Sequence, residues 1–388
     1  MKENMYLKRG VSADKQDVHA AILNTNKGLF KNSFCKILPD VLGNNEDFCT
    51  IMHSDTAGTK TILAYLYWRE TGDSSVFEGV VQDALVMNID DMACSGVVDN
   101  FMLSSTILRN KNHITAAVLK VLIEAQQKLA DIMQLQGVSL HFAGGETADV
   151  GDVCRTLDVG FTATARVAKS SILDINIQPD DVVVGVASYG QAVYESEYNS
   201  GIGCNGLTSA RHDMLDKYYY ENYPESYDPI NSSDCLYIGK HRLTDIDSTT
   251  SLPIGKLLLS PTRTYLPLLK RIFEQYPNQL HGIIHNTGGG MTKVLHFIDK
   301  IHVIKDNLLV VPPIFKLLNN ETTDYTNEMF KVYNMGCRLE IYCPKSIADS
   351  IINIATTLCL EAQVIGYCKA SSSKQVSIIN DKKEFHYS

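Results

Sequence analysis

The chain has 388 residues, 45 % hydrophobic and 20 % charged, with a formal net charge of −9. That mix supports a sizeable buried core and is long enough for two domains. The acidic balance argues against a broad nucleic-acid surface, which needs excess Lys and Arg to neutralise phosphates. It leaves open a small phosphorylated ligand whose charge is carried by a metal ion.

The 10 cysteines form no Cys-x-x-Cys pair, so zinc-ribbon and dithiol redox readings lack their spacing. Cys35, Cys94, Cys204 and Cys368 sit in apolar runs, as buried reduced thiols of a cytosolic protein do. Met1 to Met5 has no apolar signal core, and no uninterrupted apolar run is long enough to span a bilayer. The expectation is a soluble, cytoplasmic protein without a membrane partner.

Along the chain, His53-Ser-Asp-Thr-Ala-Gly-Thr-Lys60 comes first. It holds Gly, Thr and Lys as a Walker loop does, but in another order, so that geometry cannot carry over. Read alone, it is more simply a strand-turn-strand with an exposed lysine. Val76 to Ser95 reads as a helix carrying Asp83, Asp90 and Asp91, with Asp83 and Asp91 about two turns apart near one face. Phe101 to Leu108 reads as a strand, Ile114 to Gln136 as a helix and Val138 to Ala143 as a buried strand. Gly144-Gly-Glu-Thr-Ala-Asp149 follows as a glycine turn, where Glu146 and Asp149 offer hard oxygens. Asp158 to Val167 is β-rich.

A domain boundary is expected near Lys169 to Ser171, giving domains 1–169 and 170–388. Val182 to Ala187 reads as a strand, Leu266 to Tyr276 as a helix, Cys337 to Cys343 as a strand and Ile347 to Ala362 as a helix. The Tyr-rich stretches Tyr189 to Ser200 and Tyr218 to Ser251 read as irregular surface insertions. The mixture is α/β or α+β. His281-Gly-Ile-Ile-His-Asn-Thr-Gly-Gly-Gly290 closes the set. Three consecutive glycines suggest backbone closing on an anion at a helix start, with His285 a candidate acid/base or polar contact; a flexible loop with a structural histidine is the plain alternative.

Taken together, these clusters resemble the phosphoribosylformylglycinamidine cyclo-ligase (aminoimidazole ribonucleotide synthetase) family. The stretches that carry the resemblance are Asp55 to Lys60, Asp83 to Asp91, Gly144 to Asp149, Cys204-Asn-Gly206, Ser260-Pro-Thr-Arg-Thr-Tyr265, His281 to Gly290, Tyr333-Asn-Met-Gly336 and Ile365 to Ser371, with Gly10-Val11 and Lys27 near the start. The resemblance covers nearly the whole chain. It implies a two-domain fold whose amino-terminal domains pair into a shared β-barrel in a homodimer. It also implies ATP-dependent ring closure of formylglycinamidine ribonucleotide. The formyl oxygen is phosphorylated to an iminophosphate, the amidine nitrogen attacks that carbon, and phosphate leaves.

In that reading ATP and Mg²⁺ are the cofactors. Asp55, Gly58, Thr59, Lys60, Asp91, Gly144, Gly145, Glu146 and Thr147 hold the nucleotide. Asp55, Asp83, Asp91 and Glu146 hold the metal. His285, Lys60 and Asn205 serve catalysis. Lys27 and Thr287, Gly288, Gly289 and Gly290 meet substrate or its phosphate. Phosphoryl transfer of this kind needs clamps more than a protein nucleophile.

Four departures stand out. An early glycine-rich stretch is missing across 32–49. The family histidine before Ser-Asn-Gly is Gly203. The motif after the triple glycine is Lys293-Val-Leu-His-Phe297. The 218–251 segment is longer. Alternatives are another ATP-dependent enzyme of the superfamily, or an ATP-binding protein that has lost turnover.

Overall fold

The computed structural model describes residues 8–10, 21, 25–319, 325–381 and 383–388. Met1 to Met5 and Val11 lie outside the described residues. Two sheets organise the rest. The first has five strands: β1 (Ile37–Pro39), β2 (Phe48–Thr56), β3 (Phe101–Arg109), β4 (Leu140–Asp149) and β5 (Leu157–Ala168), in the order β1-β2-β5-β3-β4. β3 alternates buried and exposed residues along Phe-Met-Leu-Ser-Ser-Thr, the mark of a sheet covered on one face. The other face is bare and presents Met52 and Met102.

Three helices cover the buried face: α1 (Lys60–Thr71), α2 (Val76–Ala93) and α3 (Ala116–Leu135). Gly72 ends α1 in the left-handed conformation. Thr115 caps α3 by accepting from the Val118 N–H at 3.4 Å. Of α2's residues, only Glu78 and Gln82 are not buried. A helix buried on all sides lies between layers. It packs on β2, β5 and α3 on one side and on helix Leu266–Gln275 of the second half on the other. α2 is therefore the shared wall between the two halves.

The chain passes to the second sheet after a 3-10 turn at Lys169–Ser171. This sheet has seven strands: β6 (Val182–Ala187), β7 (Gly282–His285), β8 (Ile301–Lys305), β9 (Cys337–Cys343), β10 (Ala362–Ala370), β11 (Gln375–Asn380) and β12 (Lys383–Tyr387). Their order is β12-β11-β8-β10-β6-β9-β7. Interior strands β6 and β9 are buried along their whole length, which explains the unbroken apolar run of β6, while β9 carries two buried charges, Arg338 and Glu340.

Three readings change. β4 does not stop at Ala143: it runs through the glycines to Asp149, pairing with β3 after a bulge. Gly144 takes φ 106° at that bulge, and a Cβ on Gly145 would meet the Ser105 carbonyl at 2.2 Å. The Tyr-rich segment is not only surface: Tyr219 and Tyr237 are fully buried and pack against each other within it, their rings tilted by 36°. The late helix is Lys345–Thr357, and Ala362 already opens β10.

Candidate functional site

His53 to Lys60 is neither a Walker loop nor strand-turn-strand. β2 ends at Thr56, Gly58 turns with φ 57°, and Lys60 opens α1 fully buried. Its Nζ donates to Asp83 Oδ1 at 2.9 Å and to the Ser260 carbonyl at 2.5 Å. The expected phosphate contact is therefore corrected: burial commits this ammonium to Asp83. Asp83 Oδ1 also accepts from Thr262 N at 2.7 Å and Thr262 Oγ1 at 2.6 Å. Its Oδ2 is buried with no hydrogen-bond partner.

Asp83 and Asp91 do not share one face. At 100° per residue Asp83 aligns with Asp90, not Asp91. Asp83 and Asp90 both hold the segment 260–265: Asp90 accepts from Thr264 Oγ1 at 2.6 Å and Tyr265 N at 2.7 Å. Burial pushes the Asp90 carboxyl up to about 7. Asp91 turns instead toward β7.

There Asp91 Oδ1 meets His285 Nδ1 at 2.7 Å, and Arg338 Nε donates to His285 Nε2 at 3.0 Å. Because arginine can only donate, Nε2 is the acceptor and the ring proton sits on Nδ1, facing Asp91. Burial lowers the His285 pKa to about 4. The Asp91 carboxyl stays below its usual range despite burial, held by Lys293 and by His285. A neutral imidazole with both nitrogens engaged is not a free acid/base, so the geometry gives His285 an orienting part in place of the expected catalytic one. His53 Nε2 approaches Asp91 Oδ2 at 3.8 Å, and His53 Nδ1 lies 3.0 Å from Asn88 Oδ1.

The loop Gly203-Cys-Asn-Gly206 joins these two centres. Thr59 Oγ1 lies 3.0 Å from Thr208 Oγ1 in α4 (Leu207–Met214), which starts after Gly206. Asn205 Oδ1 is buried without a partner, as is Asn286 Oδ1 beside His285. Buried polar atoms are otherwise almost always paired, so the orphaned acceptors on Asp83, Asn205 and Asn286 are open to donors from a ligand. Gly203 explains its departure from the expected histidine: its φ is 70°, and any Cβ there would lie 1.7 Å from Arg338 Nη1. Arg338 occupies the space of a side chain at 203.

In the triple-glycine loop, Gly288 is exposed, with nothing within 4 Å of an added Cβ. Gly290 is tightly enclosed: a Cβ would meet the Phe330 carbonyl at 2.5 Å. The loop leads into a 3-10 helix, Gly290–His296, not an α-helix. Lys293 Nζ donates to Thr287 Oγ1 at 2.5 Å.

Other predicted residues stay apart. Glu146 lies in the cross-strand row Thr56–Gly160–Thr106–Glu146, three strands and about 14 Å from β2. That row is on the bare face; Asp55, one residue earlier, points to the helical face. Gly144, Gly145 and Thr147 are likewise exposed on edge strand β4. Lys27 is exposed near Gly28, which bridges Ile37. The four carboxylates Asp55, Asp83, Asp91 and Glu146 do not converge, and among the described residues no group of three or more His, Cys, Asp or Glu could hold a metal ion. The residues therefore do not fit a resident carboxylate cage for Mg²⁺.

Arg338 was not among the residues singled out for chemistry, and Asp90, named with its helix, was given no role. A charge at the second position of the apolar run Cys337–Cys343 was the available signal for Arg338, since arginine is almost never fully buried without a purpose.

Residues 38–167 match the family described as AIR synthase related protein, N-terminal domain. Over most of its length the chain is homologous to proteins named phosphoribosylformylglycinamidine cyclo-ligase; that of Methanocaldococcus jannaschii is 26 % identical over 321 residues, covering 82 % of this chain and 78 % of the relative. Among solved structures, AaThiL complexed with AMPPCP and TMP shares the fold with a TM-score of 0.55 at 11 % identity, covering 96 % of each chain. Phosphoribosylformylglycinamidine synthase II from Thermotoga maritima does so at 0.53 and 10 %, covering 99 % of this chain but only half, 50 %, of its own. No helix among the described residues is long and apolar enough to cross a membrane.

Proposed function

We propose that the protein is a ligase that closes formylglycinamidine ribonucleotide to aminoimidazole ribonucleotide with ATP, in purine biosynthesis. The observation that carries this reading is convergence: motifs spread from 53 to 338 meet at α2, around acceptors that lack partners. The names of the relatives supply the reaction. The γ-phosphoryl group passes to the formyl oxygen, forming an O–P bond as the β–γ bridge breaks. The amidine nitrogen then attacks the same carbon, the C–O bond breaks, and phosphate departs.

Within this reading Asn205 and Asn286 receive donors from the substrate. The Thr287–Gly290 loop and Lys293 face its phosphate. Asp91 and Arg338 hold His285 neutral and fixed. Lys60 holds Asp83 in place and does not touch phosphate. Mg²⁺ arrives on the nucleotide, because no protein cage is assembled for it; hard cations of this kind commonly use one or two carboxylates and substrate phosphates. Domains 1–169 and 170–388 share α2 as their common wall. The bare face of the first sheet, with Met52 and Met102, is the surface on which two copies pair in a cytoplasmic homodimer, and Glu146 reaches the nucleotide from there.

Purified protein given Mg²⁺, ATP and formylglycinamidine ribonucleotide is expected to release aminoimidazole ribonucleotide with one ADP and one phosphate per turnover. Confirmed ATP binding with no imidazole product by chromatography refutes the reading and leaves an ATP-binding protein without turnover.

A further inference from the structure

Arg338 is 1 % exposed, yet no carboxylate lies within ion-pairing distance of it among the described residues. Arg263, Arg109 and Arg9 are paired with Glu195, Asp149 and Asp213, and buried Arg211, which has no carboxylate either, spends its Nη1 on the Ser226 carbonyl and the Tyr237 hydroxyl. The adjacent acids of α2 are committed elsewhere, Asp90 to Thr264 and Tyr265, and Asp91 to His285. The side-chain acceptors of Arg338 are a ring nitrogen and, at 3.6 Å, the Met87 sulfur. Nη1 has no acceptor. It stands 1.7 Å from where Cβ of residue 203 would be, so the guanidinium enters the loop 203–206 along the path a side chain at 203 would take. A desolvated guanidinium with an unspent Nη1 is stabilised by an anion placed against it.

The surroundings suit a phosphate. Gly203 and Gly206 both have positive φ, 70° and 78°, and α4 begins at Leu207 without a side-chain cap, so its first N–H groups are unspent. A guanidinium fork matches a phosphoryl group in plane and spacing. Beside it, the orphaned Asn205 Oδ1 can accept from a ligand hydroxyl.

We propose that Arg338, resting on the bare Cα of Gly203, is a phosphoryl-binding residue that closes the anion pocket formed by loop 203–206 and the start of α4. The proposal rests on the cyclo-ligase reading only for which phosphoryl group is bound: the terminal phosphate of the nucleotide or the phosphomonoester of a ribonucleotide.

The test is calorimetric titration of the full chain with Mg²⁺·AMPPNP in one arm and ribose 5-phosphate in the other, for wild type, Arg338→Met and Arg338→Lys. Loss of a charge-assisted contact is expected to weaken one ligand by at least about tenfold in the Met variant, with partial recovery in the Lys variant, and the arm that changes names the source. Gly203→Ala is expected to displace the guanidinium and copy the Met variant. A folded Met variant that binds both ligands within twofold of wild type overturns the proposal, as does wild type that binds neither at millimolar concentration. If the Met variant does not fold, a wild-type crystal with either ligand decides: a phosphoryl oxygen must lie within hydrogen-bond distance of Nη1, and its absence there overturns the assignment. Wild type that binds phosphate through Arg338 but forms no imidazole keeps this inference and sinks the cyclo-ligase reading.

Discussion

Two lysine–carboxylate pairs are fully buried, and they differ in one atom. Lys305 meets Glu340 in the second sheet, where Glu340 Oε1 also accepts from Asn286 Nδ2 at 2.8 Å and Oε2 accepts from Tyr342 at 2.6 Å. Every oxygen of that carboxylate is spent. Lys60 meets Asp83 at the wall between the halves, where three donors crowd Oδ1 and Oδ2 has none. A closed pair serves folding only. A pair with a spare buried oxygen carries an unrecovered desolvation cost, which a ligand can repay.

The largest effect should come from breaking either pair. Glu340→Gln and Asp83→Asn each leave a lysine buried without its counter-charge, and each is expected to lose about 3–5 kcal/mol in urea melts. Ligand separates them. Mg²⁺·ATP should still raise the melting temperature of Glu340→Gln but should no longer raise that of Asp83→Asn. Equal ligand protection in both variants breaks the comparison, because the spare oxygen would then be only a packing flaw.

The Asp91–His285–Arg338 chain sharpens it through pH. The folded pKa of His285 is about 4, against 6.5 for the free side chain, so between those values the unfolded chain binds more protons. Stability must then rise with pH across that window and fall on acidification. Between pH 7 and pH 5 the His285 share is about 2 kcal/mol. His285→Gln should shrink the stability difference between those two pH values by that amount. Asp90, raised to about 7, acts in the opposite direction, but in both proteins, and cancels from the comparison. His212, lowered to about 2, acts in the same direction as His285 and cancels too. An unchanged difference in the variant means His285 is not held neutral.

Much of this was legible in the sequence, but unevenly. β6 announced itself because a strand buried on both faces carries an unbroken apolar run, α2 as a long Pro-free stretch rich in Ala, Val and Met, and β3 through its alternation. The site clusters were legible as motifs. Which atoms they use was not. Lys60 sits on a glycine turn as a phosphate-binding lysine does, and only the approach of Ser260 and Asp83 from distant parts of the chain shows that its charge is already spent. One residue of helical phase decides that Asp90, not Asp91, accompanies Asp83, which a count of "about two turns" cannot resolve. Gly203 read as a lost imidazole, because its replacement arrives 135 positions later from a strand that looks purely structural.

The smallest expected effect is the most discriminating for the comparison of closed and open acceptors. Asn205 Oδ1 has no partner, so Asn205→Ala removes a buried, unsatisfied acceptor. On stability grounds the change should be neutral or slightly favourable, within about 0.5 kcal/mol, because no hydrogen bond of that oxygen is lost. If a substrate hydroxyl or amide fills the gap, the same change should raise KM for the ribonucleotide about tenfold while leaving the KM for ATP near wild type. Asn286 behaves the other way, because its Oδ1 is orphaned too but its Nδ2 is spent on the fold. Asn286→Ala removes the donor to Glu340 Oε1 and to the Cys337 carbonyl at 2.9 Å, so it should destabilise the fold by about 1–3 kcal/mol whatever it does to KM. Measured together, the two variants separate an oxygen that waits for ligand from an amide that is half fold. Should Asn205→Ala instead lower the melt with KM unchanged, the orphaned oxygen has a partner in solution, and the open centre is as closed as Lys305–Glu340.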